Sequence, residues 1–176
     1  GTELWDSGFV VEFNGEKTNA NITLCGGSPE YPENNTHFVE YGRNISQMDM
    51  LAHARVAVLG HAVAERLFPF ADPIGRNVRI DGRKYEVIGV FLKRNSAFGG
   101  PYDQMALIPS GAFTDTYGLT DPQGFPRSVN VTIHVKTPEL LPDAIEEVQQ
   151  VLRRDRGLKR GEKDNFYWFT SNSMIE

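Results

Sequence analysis

The sequence predicts an α+β protein in which strands outnumber helices. Three kinds of segment carry this prediction: short apolar runs ended by glycine or proline, alternating segments joined by Asn-Gly or Asp-Gly, and one long amphipathic stretch near the C-terminus. The first two kinds are typical of strands and hairpins, and the third is typical of a helix packed on one face. The chain of 176 residues is long enough for one domain or two small subdomains.

The composition is that of a folded, acidic domain. A net charge of −5 argues against a nucleic-acid-binding protein, because such proteins use a basic surface to displace counterions. Cys25 is the single cysteine, so no intrachain disulfide can form. The sequence contains no run of 18 apolar residues, and residues 1–8 have neither the basic start nor the apolar core of a signal peptide.

The N-terminal part predicts an antiparallel pair of strands. Residues 8–13 and 18–25 are the two strands, and Asn14-Gly15 is the turn between them. Gly26-Gly27 is expected to end the second strand as loop. Farther along, Ser46 and Asp49 have the spacing of a capping pair, although aspartate is not the usual residue at the second position.

The central stretch, residues 55–109, has the clearest pattern in the chain. Residues 55–60 form a short apolar run that predicts a strand covered on both faces. Residues 61–68 follow as a helix of two turns, which Pro69 and Pro73 prevent from continuing.

Asp81-Gly82 predicts a β-hairpin. A type I′ turn needs positive φ at both central residues, and Asp-Gly is one of the pairs that favour this turn. A two-residue loop pairs Val78 with Tyr85 and Ile80 with Arg83. The register therefore predicts one buried and one solvated face. The buried face carries Val78, Ile80, Tyr85 and Val87, and the solvated face carries Arg79, Lys84 and Glu86.

Residues 93–104 predict a long, polar, glycine-rich loop. Phe98 and Tyr102 lie in this loop and are the candidate residues for a contact with a partner protein, because loops carry function more often than the elements they join. The alternative is that these aromatic rings only fix the loop to the surface of the domain. A short strand at residues 105–108 and one helical turn at residues 113–117 follow.

The C-terminal part predicts a strand, a helix and a second strand. The strands are residues 129–136 and 166–170; the helix begins after Thr137 and ends before Gly157. We expect residues 1–50 and 125–176 to form one discontinuous, porter-like α/β subdomain. Residues 51–124 would then form an inserted β-rich subdomain with one short helix.

No residue pattern predicts catalysis, a cofactor or a metal ion. The four histidines lack the spacing of a metal site, although His53 and His61 flank one strand and could approach each other. Cys25 is expected to be buried and structural, and the glycine pairs lack the lysine of a phosphate loop. The carboxylates considered as turn or cap residues are Asp115, Asp121 and Asp164. The six basic residues of segment 153–163 predict a solvated helix end, with a contact to lipid headgroups or an acidic partner as the alternative.

The central pattern resembles the extracytoplasmic core domain of MacB-like and FtsX-like ABC transporter permeases. Tyr41-Gly42-Arg43 is similar to the motif that precedes this block in the family. The other segments that carry the resemblance are residues 56–60, 64–68, 72–75, 80–82, 85–90 and 107–109. They are structural glycines, prolines and core residues, so the resemblance indicates architecture rather than chemistry.

The resemblance implies a non-enzymatic, periplasmic domain of an inner-membrane protein. Its expected partners are flanking membrane helices, a cytoplasmic ATPase and a periplasmic adaptor protein, and its role would be to transmit ATP-driven motion to substrate export. The isolated domain is expected to be a monomer and the full protein a dimer. The alternatives are a secreted or periplasmic binding module that uses the loop at Phe98 and Tyr102, and, third, a small hydrolase.

Overall fold

The structure is a computed structural model, and it describes residues 1–94 and 100–170. The chain divides into two compact units, Gly1–His134 and Val135–Glu176. Unit 1 is a mixed α/β structure, and unit 2 is built around one long helix.

One mixed sheet forms the body of unit 1. Its ten strands are β1 (Thr2–Phe9), β2 (Val11–Phe13), β3 (Glu16–Lys17), β4 (Ile22–Gly27), β5 (Val39–Gly42), β6 (Val56–Leu59), β7 (Asn77–Ile80), β8 (Arg83–Phe91), β9 (Met105–Pro109) and β10 (Asn130–Val131). Nine of them follow one another in the order β10-β1-β4-β9-β6-β8-β7-β2-β3, and the tenth, β5, pairs with β8. The helices are α1 (Tyr31–Asn35), α2 (Gln47–Leu51), α3 (His61–Leu67) and α4 (Ser110–Tyr117).

The central strands are buried on both faces, and the core accordingly has two clusters. Residues Ala57 and Leu59 of β6 point into the larger cluster with α3 and α4. Val56 and Val58 point into the smaller cluster with Tyr31 of α1. All four residues of β6 are buried, which confirms the prediction of a strand covered on both faces.

The Asp81-Gly82 hairpin has the predicted geometry. Asp81 and Gly82 have φ of 51° and 74°, as a type I′ turn requires. Val78 pairs with Tyr85 and Ile80 with Arg83. The apolar residues of this face are buried, and Arg79, Lys84 and Glu86 are exposed. Helix α3 also forms where it was predicted.

Helix α2 begins with a complete capping box. The Ser46 hydroxyl accepts from the Asp49 backbone N–H at 3.2 Å, and the Asp49 carboxylate accepts from the Ser46 backbone N–H at 2.8 Å. Arg43 then donates to the same carboxylate at 2.6 Å. The Arg43 hydrogen bond is the largest cause that lowers the pKa of Asp49, which is about 2. The shorter aspartate therefore closes the box that glutamate usually closes.

The N-terminal pairing differs from the prediction. The turn at Asn14-Gly15 forms, but it joins only the short strands β2 and β3. The long strand β4 instead pairs antiparallel with β1 and parallel with β9. Gly26 and Gly27 belong to β4 and are not loop residues. A Cβ atom on Gly26 would lie 2.5 Å from Phe113 Cβ, so this glycine lets α4 pack on the sheet.

The boundaries of the two units differ from the predicted subdomain boundaries. Strands from residues 1–50 share a sheet with strands from residues 51–124, and the units divide between residues 134 and 135. Long-range pairing such as that of β4 with β9 cannot be read from local pattern, which explains the difference. A common α/β subdomain of both chain ends stays a prediction.

Unit 2 contains the predicted helix but not the predicted strands. A 3₁₀ turn (Pro138–Leu140) leads into α5 (Leu141–Asp155), and Gly157 has a φ of 66°, as expected after a helix end. The strand predicted at residues 129–136 is reduced to the two residues of β10, at the end of unit 1. Residues 166–170 form no strand in the structure. The first prediction holds only where β1 pairs with Asn130 and Val131, and the second was wrong, because a strand needs a neighbour for its N–H and C=O groups.

Candidate functional site

Tyr102, one of the two predicted contact residues, is held against unit 1. The Arg94 guanidinium lies over its ring at 4.2 Å from the centroid, and the His37 ring meets it edge-on at 5.8 Å. The residue is 37% exposed, so part of its surface remains open to a partner. Phe98 falls outside the described residues. A partner contact at Phe98 and Tyr102 therefore stays a prediction.

His37 lies beneath Tyr102 and is almost fully buried. Its ring stacks on Phe91 at 4.1 Å, and its Nδ1 lies 3.3 Å from the Tyr31 hydroxyl. Burial first, and then the Arg94 charge, lower the pKa of His37 to about 4, while Asp103 acts in the opposite direction. The imidazole is therefore neutral at physiological pH.

Arg94 follows the C-terminal end of β8 and links it to the end of α1. Its guanidinium donates to the Asn35 carbonyl at 2.9 Å, and its backbone N–H donates to Asp103 at 3.1 Å. Sequence reasoning assigned no role to His37 or Arg94, because nothing in the local pattern brings residue 37 next to residue 94. We call His37, Phe91, Arg94, Tyr102 and Asp103 the Tyr102 cluster.

A shallow groove lies between β1, the end of α2 and α4. It encloses about 310 Å³, and its lining is mostly apolar, with Leu4, Met50, Leu119 and Val129 on its walls. His53 is the single titratable residue among the described residues that line it. The groove alone does not test the hydrolase alternative, which stays a prediction.

His53 contacts a carboxylate and not a second histidine. Its Nδ1 lies 2.7 Å from Oδ2 of Asp115, on α4, and both side chains are at least half exposed. His61 instead lies 4.0 Å from Glu65, one turn along α3. Asp115 was expected to serve in a cap or turn, and this assignment was wrong. The contact depends on the packing of α2 against α4, which spacing in the sequence does not show.

The surroundings of the remaining candidate residues indicate structural roles. Cys25 is buried, and burial followed by the nearby Glu3 raises the pKa of its thiol well above the usual value, which makes it a poor nucleophile. Asp121 accepts from the backbone N–H groups of Gln123 and Phe125, as a turn residue does. Asp164 pairs with Arg153 of the basic segment.

Within residues 1–94 and 100–170, no group of three histidine, cysteine or acidic side chains is placed to hold a metal ion. None of the helices in this described part has the length and apolar character that crossing a bilayer requires.

Comparison with known proteins agrees with the architecture. The model of the MacB-like periplasmic core domain family matches residues 3–151. The chain is 30% identical over 152 residues to the pyoverdine export ATP-binding/permease protein PvdT of Pseudomonas aeruginosa, covering 85% of this chain and 21% of that protein. The chain spans about a third or less of the length of the curated relatives it matches.

Two solved structures have the same fold. The extracellular domain of the transporter YknZ from Gram-positive bacteria matches with a TM-score of 0.66 and 22% identity, over 90% of this chain and 76% of that one. The periplasmic region of MacB from Actinobacillus actinomycetemcomitans matches with a TM-score of 0.66 and 18% identity, over 89% of this chain and 67% of that one. The family match covers more than half of the chain, and the mixed sheet agrees with it: this chain belongs to the MacB-like periplasmic core domains of ABC transporter permeases.

Proposed function

We propose that the domain is a non-catalytic lever of an ABC transporter permease, which passes ATP-driven motion of the membrane helices to substrate export or to partner proteins. Its partners would be those membrane helices, a cytoplasmic ATPase domain or subunit and a periplasmic adaptor. The observation that carries the proposal is the family match together with the continuous sheet of unit 1.

A lever has to keep its shape under load, and the packing of unit 1 supports this role. The central strands β6 and β9 consist entirely of buried residues, with apolar clusters on both faces. Close-packed interiors have low compressibility and transmit strain instead of absorbing it. Gly26-Gly27 lies inside strand β4 and is therefore not part of a phosphate loop.

Spin-label distances in the intact permease, held in lipid nanodiscs with its ATPase, test the proposal. Labels at Glu65→Cys on α3 and Lys84→Cys on β8 report the shape of unit 1, since both positions are exposed and the native Cys25 is buried. We expect their distance to stay constant between nucleotide-free and ATP-trapped states. A single label at Glu65→Cys should show a changed distance between the two copies of a dimer.

The opposite result would contradict the lever. A nucleotide-dependent distance inside unit 1, with a constant distance between copies, would show that the domain deforms instead of moving as a body. Isothermal calorimetry of residues 1–176 with ATP is the matched test of the non-catalytic role. We expect no saturable heat, and saturable ATP binding would overturn that part of the proposal.

A further inference from the structure

Two buried side chains of the Tyr102 cluster each have one polar atom without a partner. His37 and Asp103 are both 1% exposed. Oδ1 of Asp103 accepts from the Arg94 backbone N–H at 3.1 Å. Oδ2 of Asp103 and Nε2 of His37 have no hydrogen-bond partner among the described residues. Buried polar groups are nearly always hydrogen-bonded, so these two atoms mark a place where a proton can change the bonding.

The Tyr31 hydroxyl determines which nitrogen of His37 can take up a proton. It donates to Sδ of Met105 at 3.2 Å, so its one hydrogen does not serve Nδ1 of His37, which lies 3.3 Å away. Nδ1 therefore carries the imidazole hydrogen and donates to the phenol oxygen, which leaves the lone pair on Nε2. Burial raises the pKa of Tyr31, so the phenol keeps its hydrogen. A proton taken up by His37 arrives at Nε2.

Two charged groups act on the His37 ring. Burial first, and then the Arg94 guanidinium, lower the pKa of His37, whereas the Asp103 carboxylate raises it. From α1 the neutral Tyr31 hydroxyl faces the ring, and the ring stacked on it from β8 carries no charge. Tyr102 meets it edge-on. Arg94 is therefore the cation that opposes a positive charge on His37.

This opposition is mutual. If Arg94 in its present place disfavours a proton on His37, a proton on His37 disfavours that place by the same free energy. The His37 ring is buried and cannot reach water, but the Arg94 side chain is partly exposed. Arg94 is held by the carbonyls of Asn35 at 2.9 Å and Thr36 at 3.4 Å, and by the Tyr102 ring. Its guanidinium can leave these contacts and be solvated.

We propose that His37 is the proton sensor of an acid-sensitive latch in unit 1. Protonated at Nε2, His37 donates to the free Oδ2 of Asp103, and the Arg94 guanidinium leaves the Tyr102 ring. The end of β8 is then released from α1, and the Tyr102 ring loses its cover. The ligand of the site is a proton, which forms one N–H bond and turns the imidazole into an imidazolium. The inference depends on the contacts within unit 1 and is independent of the lever function.

An NMR titration of the isotope-labelled chain of residues 1–176 tests the proposal. At neutral pH we expect Nδ1 of His37 to be protonated and Nε2 unprotonated. On acidification, the NOEs between the Arg94 side chain and the Tyr102 ring should be lost together with the protonation of His37. Their shared midpoint should lie between 6.5, the ordinary pKa, and about 4, the pKa of His37 with the latch closed. Backbone signals of β6 and β9 should not change in this step, which excludes unfolding.

Variants of the two charged groups should move the His37 midpoint in opposite directions. Arg94→Gln removes the opposing cation and should raise the midpoint by about 1 pH unit. Asp103→Asn removes the compensating anion and should lower it by about the same amount. Lys93→Gln is the matched control, because it removes an exposed positive charge next to Arg94 and should leave the midpoint unchanged. In His37→Gln, Arg94 should stay on the Tyr102 ring throughout the titration.

Four results would overturn the latch. The Arg94–Tyr102 contact could survive the protonation of His37, or it could be lost at the same pH in His37→Gln. A hydrogen on Nε2 of His37 at neutral pH would contradict the assigned site of proton uptake. An equal midpoint in Arg94→Gln and Lys93→Gln would show that Arg94 does not act on His37. If Asp103→Asn does not fold, this last pair of variants decides the test by itself.

Discussion

Helices α4 and α5 both follow helical patterns in the sequence, but they have opposite environments. Helix α4 is short, and its pattern predicted only one turn, yet Phe113 is fully buried against Gly26 of β4. Helix α5 has the strongest amphipathic pattern of the chain and contains no buried residue. The difference shows that pattern states which face can be buried, whereas burial depends on a complementary layer formed by distant parts of the chain.

The largest expected difference between the two regions is the cost of shortening an apolar side chain. Phe113→Ala should lower the free energy of unfolding of residues 1–176 by about 3–5 kcal/mol, because it leaves a cavity between α4 and the sheet. Val148→Ala, on α5 in the same chain, should change it by less than about 0.5 kcal/mol. Urea unfolding followed by circular dichroism measures both, and equal costs would remove the contrast.

A second difference concerns pH and is confined to unit 1. The pKa of His37 is about 4 in the folded protein, compared with an ordinary value of 6.5. Between pH 6.5 and pH 4, the unfolded chain therefore binds more protons than the folded protein does. The free energy of unfolding consequently decreases as the pH falls from 6.5 toward 4, by up to about 3 kcal/mol. His37→Gln should flatten this slope, measured by urea unfolding at several pH values.

The exposed His134 provides the control for the pH experiment. The His134→Gln variant controls for the loss of a histidine as such, and an equal flattening of the slope in this variant would show that the effect is not specific to His37. If the His37→Gln protein keeps the full slope, another group is responsible and the assignment to the Tyr102 cluster is wrong.

The smallest expected effect concerns the N-cap of helix α2. Ser46→Ala removes the hydroxyl that accepts from the Asp49 backbone N–H and should cost about 1 kcal/mol of stability. Ser46→Asp keeps an acceptor at the N-cap but places its charge beside the Asp49 carboxylate, so it should recover only part of the loss. Thermal unfolding measures both variants, and an unchanged melting temperature for Ser46→Ala would show that α2 does not need its cap.

Local signals predicted the hairpin and α3 well. Asp81-Gly82 defines the turn, and two-residue spacing then determines which side chains pair, without help from the rest of the chain. The same reasoning failed at residues 129–136 and 166–170, where alternating or aromatic residues predicted strands. In both places the sequence pattern is right for a strand, but among the described residues a neighbouring strand pairs only with Asn130 and Val131.

The candidate site shows the same limit of prediction from local sequence. Tyr102 could be selected from sequence because it lies in a long polar loop, but the cluster that holds it joins residues more than 50 positions apart. His53 with Asp115 is a similar case, since the contact arises only where α2 packs against α4. Side chains brought together by packing leave no mark in the spacing of a single sequence.

By itself, the sequence determined the mixed α/β class, the type I′ turn and its register, and the extent of α3 and α5. These features depend on backbone preferences and side-chain periodicity within about twenty residues. The tertiary structure decided the pairing of β4 with β9, the burial of α4, the anchoring of Tyr102 and the division after residue 134. These depend on contacts between distant segments, whose free energy is realised only when the chain has folded.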